Sequence, residues 1–147
     1  MNRYSTEEKQ TLFSLDDEFL FDKETFFLKN IIEDRGSKYS WTCTKVLSKQ
    51  EVKDFFKYIN KYKYYKKATH NTYAYRIKQE DWSIIEWKND DWELGWANCI
   101  LSTMKKKKIV NCMIVVTRYF GWVHLNSDRF KHLVDATWIV VEKAKNS

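Results

Sequence analysis

The chain has 147 residues with three Gly, no Pro, 44% hydrophobic and 31% charged residues, which fits one domain and excludes a multidomain organisation. No apolar run approaches the roughly 20 residues needed to span a bilayer, and the N-terminus lacks the basic-then-apolar order of a secretion signal, so no membrane contact and a cytoplasmic location are expected. The net charge of +6 divides unevenly: residues 1–34 carry four Lys/Arg and nine Asp/Glu, a balance of −5 that leaves +11 on residues 35–147.

That shift marks residues 1–34 as an acidic N-terminal extension and 35–147 as the domain proper. The basic part suits RNA, DNA or an acidic protein surface, and the extension is placed to shield it. Ser5 to Glu8 has capping-box spacing and predicts a short helix. Leu12 to Ile32 alternates apolar clusters with acids without a period. From Tyr39 to Val46, Tyr39, Trp41 and Cys43 alternate with Ser40, Thr42 and Thr44, which predicts a half-buried strand. Ser48 and Glu51 repeat the capping-box spacing, and Val52, Phe55, Phe56 and Ile59 place one apolar stripe on the helix that follows.

Thr72 to Ile77 predicts a second strand with Tyr73, Tyr75 and Ile77 on one side, and Trp82 to Trp87 a third, closer to an edge and broken by Asn89-Asp90-Asp91. Ala97, Ile100, Leu101 and Met104 have helical spacing, with acids before them and Lys105 to Lys108 after, each at the end the helix dipole favours. Ile109 to Thr117 holds Met113-Ile114-Val115-Val116, apolar on both faces as a central strand requires. Asp128 opens a last helix whose inner face is read as Phe130, Leu133, Val134, Thr137 and Val141. The order strand, helix, strand, strand, helix, strand, helix is that of an α/β layered domain.

Cys43, Cys99 and Cys112 are unpaired in spacing and read as small, reduced, apolar side chains. His124 and His132 lack the spacing of two ligands on one helix face, so neither a metal nor a cofactor is implied. His70, Asn71, Arg76, Asp90, Asp91, Glu93, Arg118 and Arg129 form the polar set that a hydrolase would need to converge at the sheet ends. The plainer reading is that the acids cap a helix while His70 and Asn71 pin a turn. A Gly-rich phosphate loop, a nucleophile elbow and a zinc-protease motif are all absent from the sequence, which argues against catalysis. Lys57 to Lys67 interleaves five lysines with four tyrosines, a composition suited to phosphate and stacked bases; Lys57, Lys61, Tyr62, Lys63, Tyr64, Lys66 and Lys67, with Arg118 and Arg129, are the candidate nucleic-acid contacts. The alternative is a solvated helix end whose tyrosines lie against the core.

Four ordered blocks then resemble one family. Ala68-Thr69-His70-Asn71-Thr72-Tyr73-Ala74-Tyr75-Arg76, Asp90-Asp91-Trp92-Glu93, Val115-Val116-Thr117-Arg118-Tyr119-Phe120-Gly121 and Asp128-Arg129-Phe130-Lys131-His132 resemble the ancient domain of the IMPACT/YigZ family, the last block being closer to the eukaryotic IMPACT branch. The resemblance covers about residues 35 to 145. It implies a two-layer α/β sandwich similar to ribosomal protein S5 domain 2 and to domain IV of elongation factor G, with a mixed sheet and helices on one face. It also implies a regulator of translation that restrains activation of the kinase phosphorylating initiation factor 2 alpha, with links to actin and ribosomes. The family's contact with the kinase activator is attributed largely to an RWD domain, and about 34 residues before the ancient domain are too few for one.

Trp92, Ala97, Trp122 and Asn126 stand where the family pattern has glycine, so an ancestral ligand cleft is expected to be closed or rebuilt. Trp92, Trp96 and Trp122 are expected to gather with His70 as an aromatic protein-binding patch, or else to plug the vacated cleft. The reading adopted is a non-enzymatic binding module in translational control or stress response, docking on a protein of the translation or cytoskeletal machinery. The alternative is an RNA- or ribosome-binding module using the Tyr/Lys segment.

Overall fold

The computed structural model describes residues 6–11, 18–34, 37–68, 70–91, 95–119 and 128–146. Among the described residues, eight strands and four helices follow one another as β1 (Thr6–Thr11), β2 (Phe19–Leu20), β3 (Phe26–Asp34), β4 (Ser37–Lys45), α1 (Lys49–Ile59), α2 (Lys63–Lys66), β5 (His70–Lys78), β6 (Ser83–Asn89), α3 (Trp96–Lys106), β7 (Ile109–Val110), β8 (Cys112–Tyr119) and α4 (Asp128–Asn146). Six strands form one sheet in the order β1-β6-β5-β8-β4-β3, antiparallel at every pairing, and β2 pairs with β7 in parallel as a separate ribbon.

The α/β layered class stands, with two corrections. Parallel pairing is confined to β2 and β7, so the main sheet is not mixed; β3–β4 and β5–β6 are joined by short connections that only antiparallel neighbours allow. Helices also lie on both faces. Trp41, Cys43, Ala74, Ile114 and Val116 pack with α3 and α4, whereas Tyr75, Ile77, Met113 and Val115 point the other way and pack with Val52, Phe55 and Ile59 of α1 and Tyr65 of α2. The doubly apolar run of β8 requires this cover on both sides.

The predicted strands β4, β5, β6 and β8 and helices α1, α3 and α4 are present in the expected order. Ser48 caps α1, its Oγ accepting from Glu51 N at 3.2 Å, and the Glu51 carboxylate reaches back to Leu47 N at 3.2 Å. Three local expectations change. Thr6 to Thr11 is a strand rather than a helix, because the acidic segment carries no apolar helical stripe and its backbone finds a ladder on β6. β4 is buried on both faces: Tyr39, Trp41 and Cys43 are covered on one side, and Ser40, Thr42 and Thr44 on the other. Val134 faces out of α4, whose buried face is Leu133, Ala136, Thr137, Val140, Val141 and Ala144; Phe130 lies outside the described side chains. Trp41, fully buried, donates from Nε1 to Thr137 Oγ1 at 3.1 Å and so ties β4 to α4 while satisfying the indole.

The first 34 residues thus supply strands to both edges of the sheet, and Phe21, at 1% exposure, enters the core under α4. A bulge at Asn30, with φ of 51°, interrupts the β3 ladder and twists that edge, which disfavours pairing with another sheet.

Candidate functional site

The order of the strands brings part of the expected polar set to one end of the sheet. His70 and Tyr39 lie opposite Arg118 on either side of β8, and Asn71 lies opposite Thr117. Asn71 is spent on structure: its side chain donates to Tyr65 O at 3.1 Å and accepts from Thr117 Oγ1 at 2.7 Å, while its N–H donates to Asp91 Oδ2 at 2.7 Å. Asp90 is spent likewise. Its carboxylate accepts from Ala97 N at 2.8 Å and Gly95 N at 3.2 Å, capping α3, and its carbonyl accepts from Thr72 Oγ1 at 2.9 Å. A carboxylate at a helix N-terminus meets both the orphan N–H groups and the positive end of the dipole.

Arg118 is 3% exposed, with its guanidinium carbon 5.9 Å from the rings of both Tyr39 and Trp96. Its assignment as a phosphate contact is therefore corrected: the cation is enclosed by aromatic faces beneath the surface. Trp96 also departs from expectation. At 1% exposure it belongs to the core, its ring 5.4 Å from that of Tyr39, so it adds nothing to an exposed patch. Trp92, Glu93, Trp122 and Asn126 lie outside the described residues, as do the side chains of Arg129 and Tyr64.

Arg76 does not join the cluster. It lies six residues along β5 from His70, about 20 Å at strand rise, and is buried at the opposite end of the sheet. There its Nε donates to Glu86 Oε2 at 2.9 Å, and Nη1 and Nη2 donate to the two Glu18 oxygens at 3.1 and 3.2 Å. Glu18 and Glu86 escaped sequence reasoning, although the β5–β6 hairpin places Glu86 directly across from Arg76.

The Tyr/Lys segment has a different character. Lys57, Lys61, Lys63, Lys66 and Lys67 are exposed, and so are Tyr58 and Tyr62, at 48% and 49%. These two rings meet edge to face at 5.4 Å, and their hydroxyls share a hydrogen bond at 3.2 Å. That hydrogen bond raises the Tyr58 pKa above its usual value, against a lowering pull from Lys61. Tyr65 is buried against Phe27 of β3 at 5.8 Å. Together with Lys29 the four rings line an open groove of about 310 Å³. The β3 wall was invisible in sequence because Phe26 to Asp34 shows no clean alternation.

On the other face, α4 exposes Val134 at 36%, Trp138 at 42% and Ile139 at 60%. Lys107 Nζ sits 4.1 Å over the Trp138 ring and pairs with Glu142. Among the described residues, no group of His, Cys, Asp and Glu is arranged to hold a metal ion.

Comparison with known proteins adds a family to this geometry. The model of the Impact N-terminal domain matches residues 35–141. The chain is 34% identical over 113 residues to the Protein IMPACT homolog of Dictyostelium discoideum, covering 77% of this chain and 33% of that protein. It is 36% identical over 114 residues to human Protein IMPACT, covering 76% and 36% respectively. The chain thus spans about a third of the length of these curated relatives. Among solved structures, the two-domain translational regulator Yih1 aligns with a TM-score of 0.51 at 25% identity, over 84% of this chain and half of that one. A crystal structure of a hypothetical protein aligns with a TM-score of 0.58 at 18% identity, over 83% of this chain and 60% of the other, and shares the fold.

Proposed function

The chain belongs to the IMPACT family, and on that premise we propose that it is a non-enzymatic binding module acting in translational control through protein–protein contacts. A structural relative, Yih1, is a translational regulator. The observation that carries the reading is the outward face of α4, where Val134, Trp138 and Ile139 stand in solvent among Lys131, Asp135 and Lys143. An amphipathic helix ordinarily turns polar residues outward, and an exposed apolar cluster with a charged rim is the usual form of a protein-docking surface. Tryptophan is the residue most often dominant in such contacts. The motif residues support the same reading from the other side: Asp90 caps α3, Asn71 pins the β5 entry, and Arg76 neutralises Glu86 and Glu18. None of those three is held ready for a substrate.

The partner in this reading is a protein of the translation machinery, met in the cytoplasm. The Tyr/Lys segment lies on the opposite face of the sheet, so docking through α4 leaves it open. The test is gradient sedimentation of the tagged chain in a translating extract. Wild type is expected to move into the fractions holding initiation complexes or ribosomes, and W138E/I139K to stay at the top with an unchanged melting temperature. Equal migration of the two, or wild type remaining at the top, overturns the reading.

A further inference from the structure

The groove between β3 and the α1–α2 corner lies across the sheet from α4 and does not depend on the α4 reading. We propose that it is a binding site for single-stranded RNA, taking a base against the rings of Tyr58 and Tyr62 with the sugar at its mouth.

Three observations carry this. The first is shape: Phe27, Tyr58, Tyr62, Tyr65 and Lys29 enclose about 310 Å³, at the lower end of the roughly 300–1,000 Å³ of small-ligand pockets and suited to a planar base. Two of these rings, Tyr58 and Tyr62, are about half exposed and so offer ring surface to a stacking partner. The second is charge. Lys29 lines the groove, Lys61 is close enough to act on the Tyr58 hydroxyl, and residues 57–67 carry five lysines and no acid. A polyanion threading the groove meets cations along the whole corner.

The third observation separates RNA from DNA. The Tyr58 and Tyr62 hydroxyls share one hydrogen bond at 3.2 Å, which spends one proton between them and leaves the pair one O–H to donate outward and a phenol oxygen to accept. A ribose 2′-hydroxyl, donor and acceptor at once, matches that pair, and deoxyribose does not. An acidic peptide would satisfy the lysines but would leave the ring faces without a stacking partner.

The experiment is fluorescence anisotropy with a labelled single-stranded RNA of about ten nucleotides, within the span a single-strand binding domain occupies. Wild type is expected to bind it more tightly than the same sequence as DNA or as duplex RNA. Y58A/Y62A is expected to weaken binding about fivefold or more with no change in melting temperature, because both rings are surface residues. Y58F/Y62F keeps the stacking and is expected to lose the preference for RNA over DNA. K57Q/K61Q lowers the salt dependence by about 0.7 in log–log slope for each lysine in contact. The proposal is overturned if Y58A/Y62A binds like wild type, if DNA or duplex RNA binds as tightly as single-stranded RNA, or if polyglutamate displaces the probe as well as unlabelled RNA does.

Discussion

Arg76 and Glu86 stand directly opposite each other on β5 and β6, joined by a 2.9 Å hydrogen bond from Nε to Oε2, at 2% and 1% exposure. Glu18 closes the other side of the guanidinium, and Lys105 approaches the second Glu86 oxygen at 3.7 Å. Two buried carboxylates therefore depend on one buried cation. Arg76→Met is expected to cost about 3–5 kcal/mol in urea unfolding, since it strands charge in the interior. Replacing Glu86 by Leu in the same chain should return part of that loss. A single-variant cost below about 1 kcal/mol would mean that the pair is not a structural centre.

Asp90 permits a test of structural against catalytic use of the family motif. As a cap on α3 its replacement by Ala is expected to cost about 0.5–2 kcal/mol, with Asn costing less because its side-chain oxygen still accepts from Ala97 N. Circular dichroism melts of the three proteins decide the point. Equal melting temperatures would contradict the capping role.

Cys112 and Cys43 are buried with their sulfurs 3.2 Å apart, whereas Cys99 is partly exposed. Burial first, then the hydrogen bond from its neighbour, pushes the Cys112 thiol well above its ordinary value, and burial raises Cys99 to a lesser degree. A raised pKa means that the folded state holds its proton more tightly than the unfolded chain. The resulting stability is full below the ordinary thiol value of 9.0 and falls as pH rises beyond it. Unfolding free energy should therefore decline above about pH 9. In the native protein a thiol reagent should titrate Cys99 alone on the fast timescale, and all three cysteines in denaturant; fast reaction of Cys112 in the native state would refute its burial.

Phe21 precedes the segment matched by the family model, yet it is 1% exposed and packs edge-on to Phe26 at 6.5 Å. Phe21→Ala is expected to cost about 3–5 kcal/mol. Thermal unfolding at the wild-type temperature would show instead that the leading segment is dispensable. Because β1 and β3 occupy the sheet edges, any shielding of the basic surface by the acids of residues 1–34 is better tested by charge substitution than by deletion.

What the sequence disclosed was what local pattern controls. The 3,4 spacing from Val52 to Ile59, the alternation at Tyr73, Tyr75 and Ile77, and the double-sided run at Met113 to Val116 each depend on burial within a few residues, and each element stands as read. The family blocks carried the fold further than spacing could. What stayed hidden depends on distant partners. Thr6 to Thr11 becomes a strand only because β6 offers a ladder, Trp96 and Arg118 are covered by elements remote in sequence, and Glu18, one of the two carboxylates that hold Arg76, comes from 58 residues away. Val134 reads as equivalent to the buried positions because a helical stripe has soft margins, and only the placement of α4 on the sheet decides which edge meets water.

The most direct measurement is reporter translation in a cell-free extract supplied with purified wild type, H70A or W138E/I139K. A binding module working through α4 predicts a concentration-dependent change in reporter output with wild type and H70A alike, and none with W138E/I139K. An inert wild type, an inert H70A or a fully active W138E/I139K would contradict it.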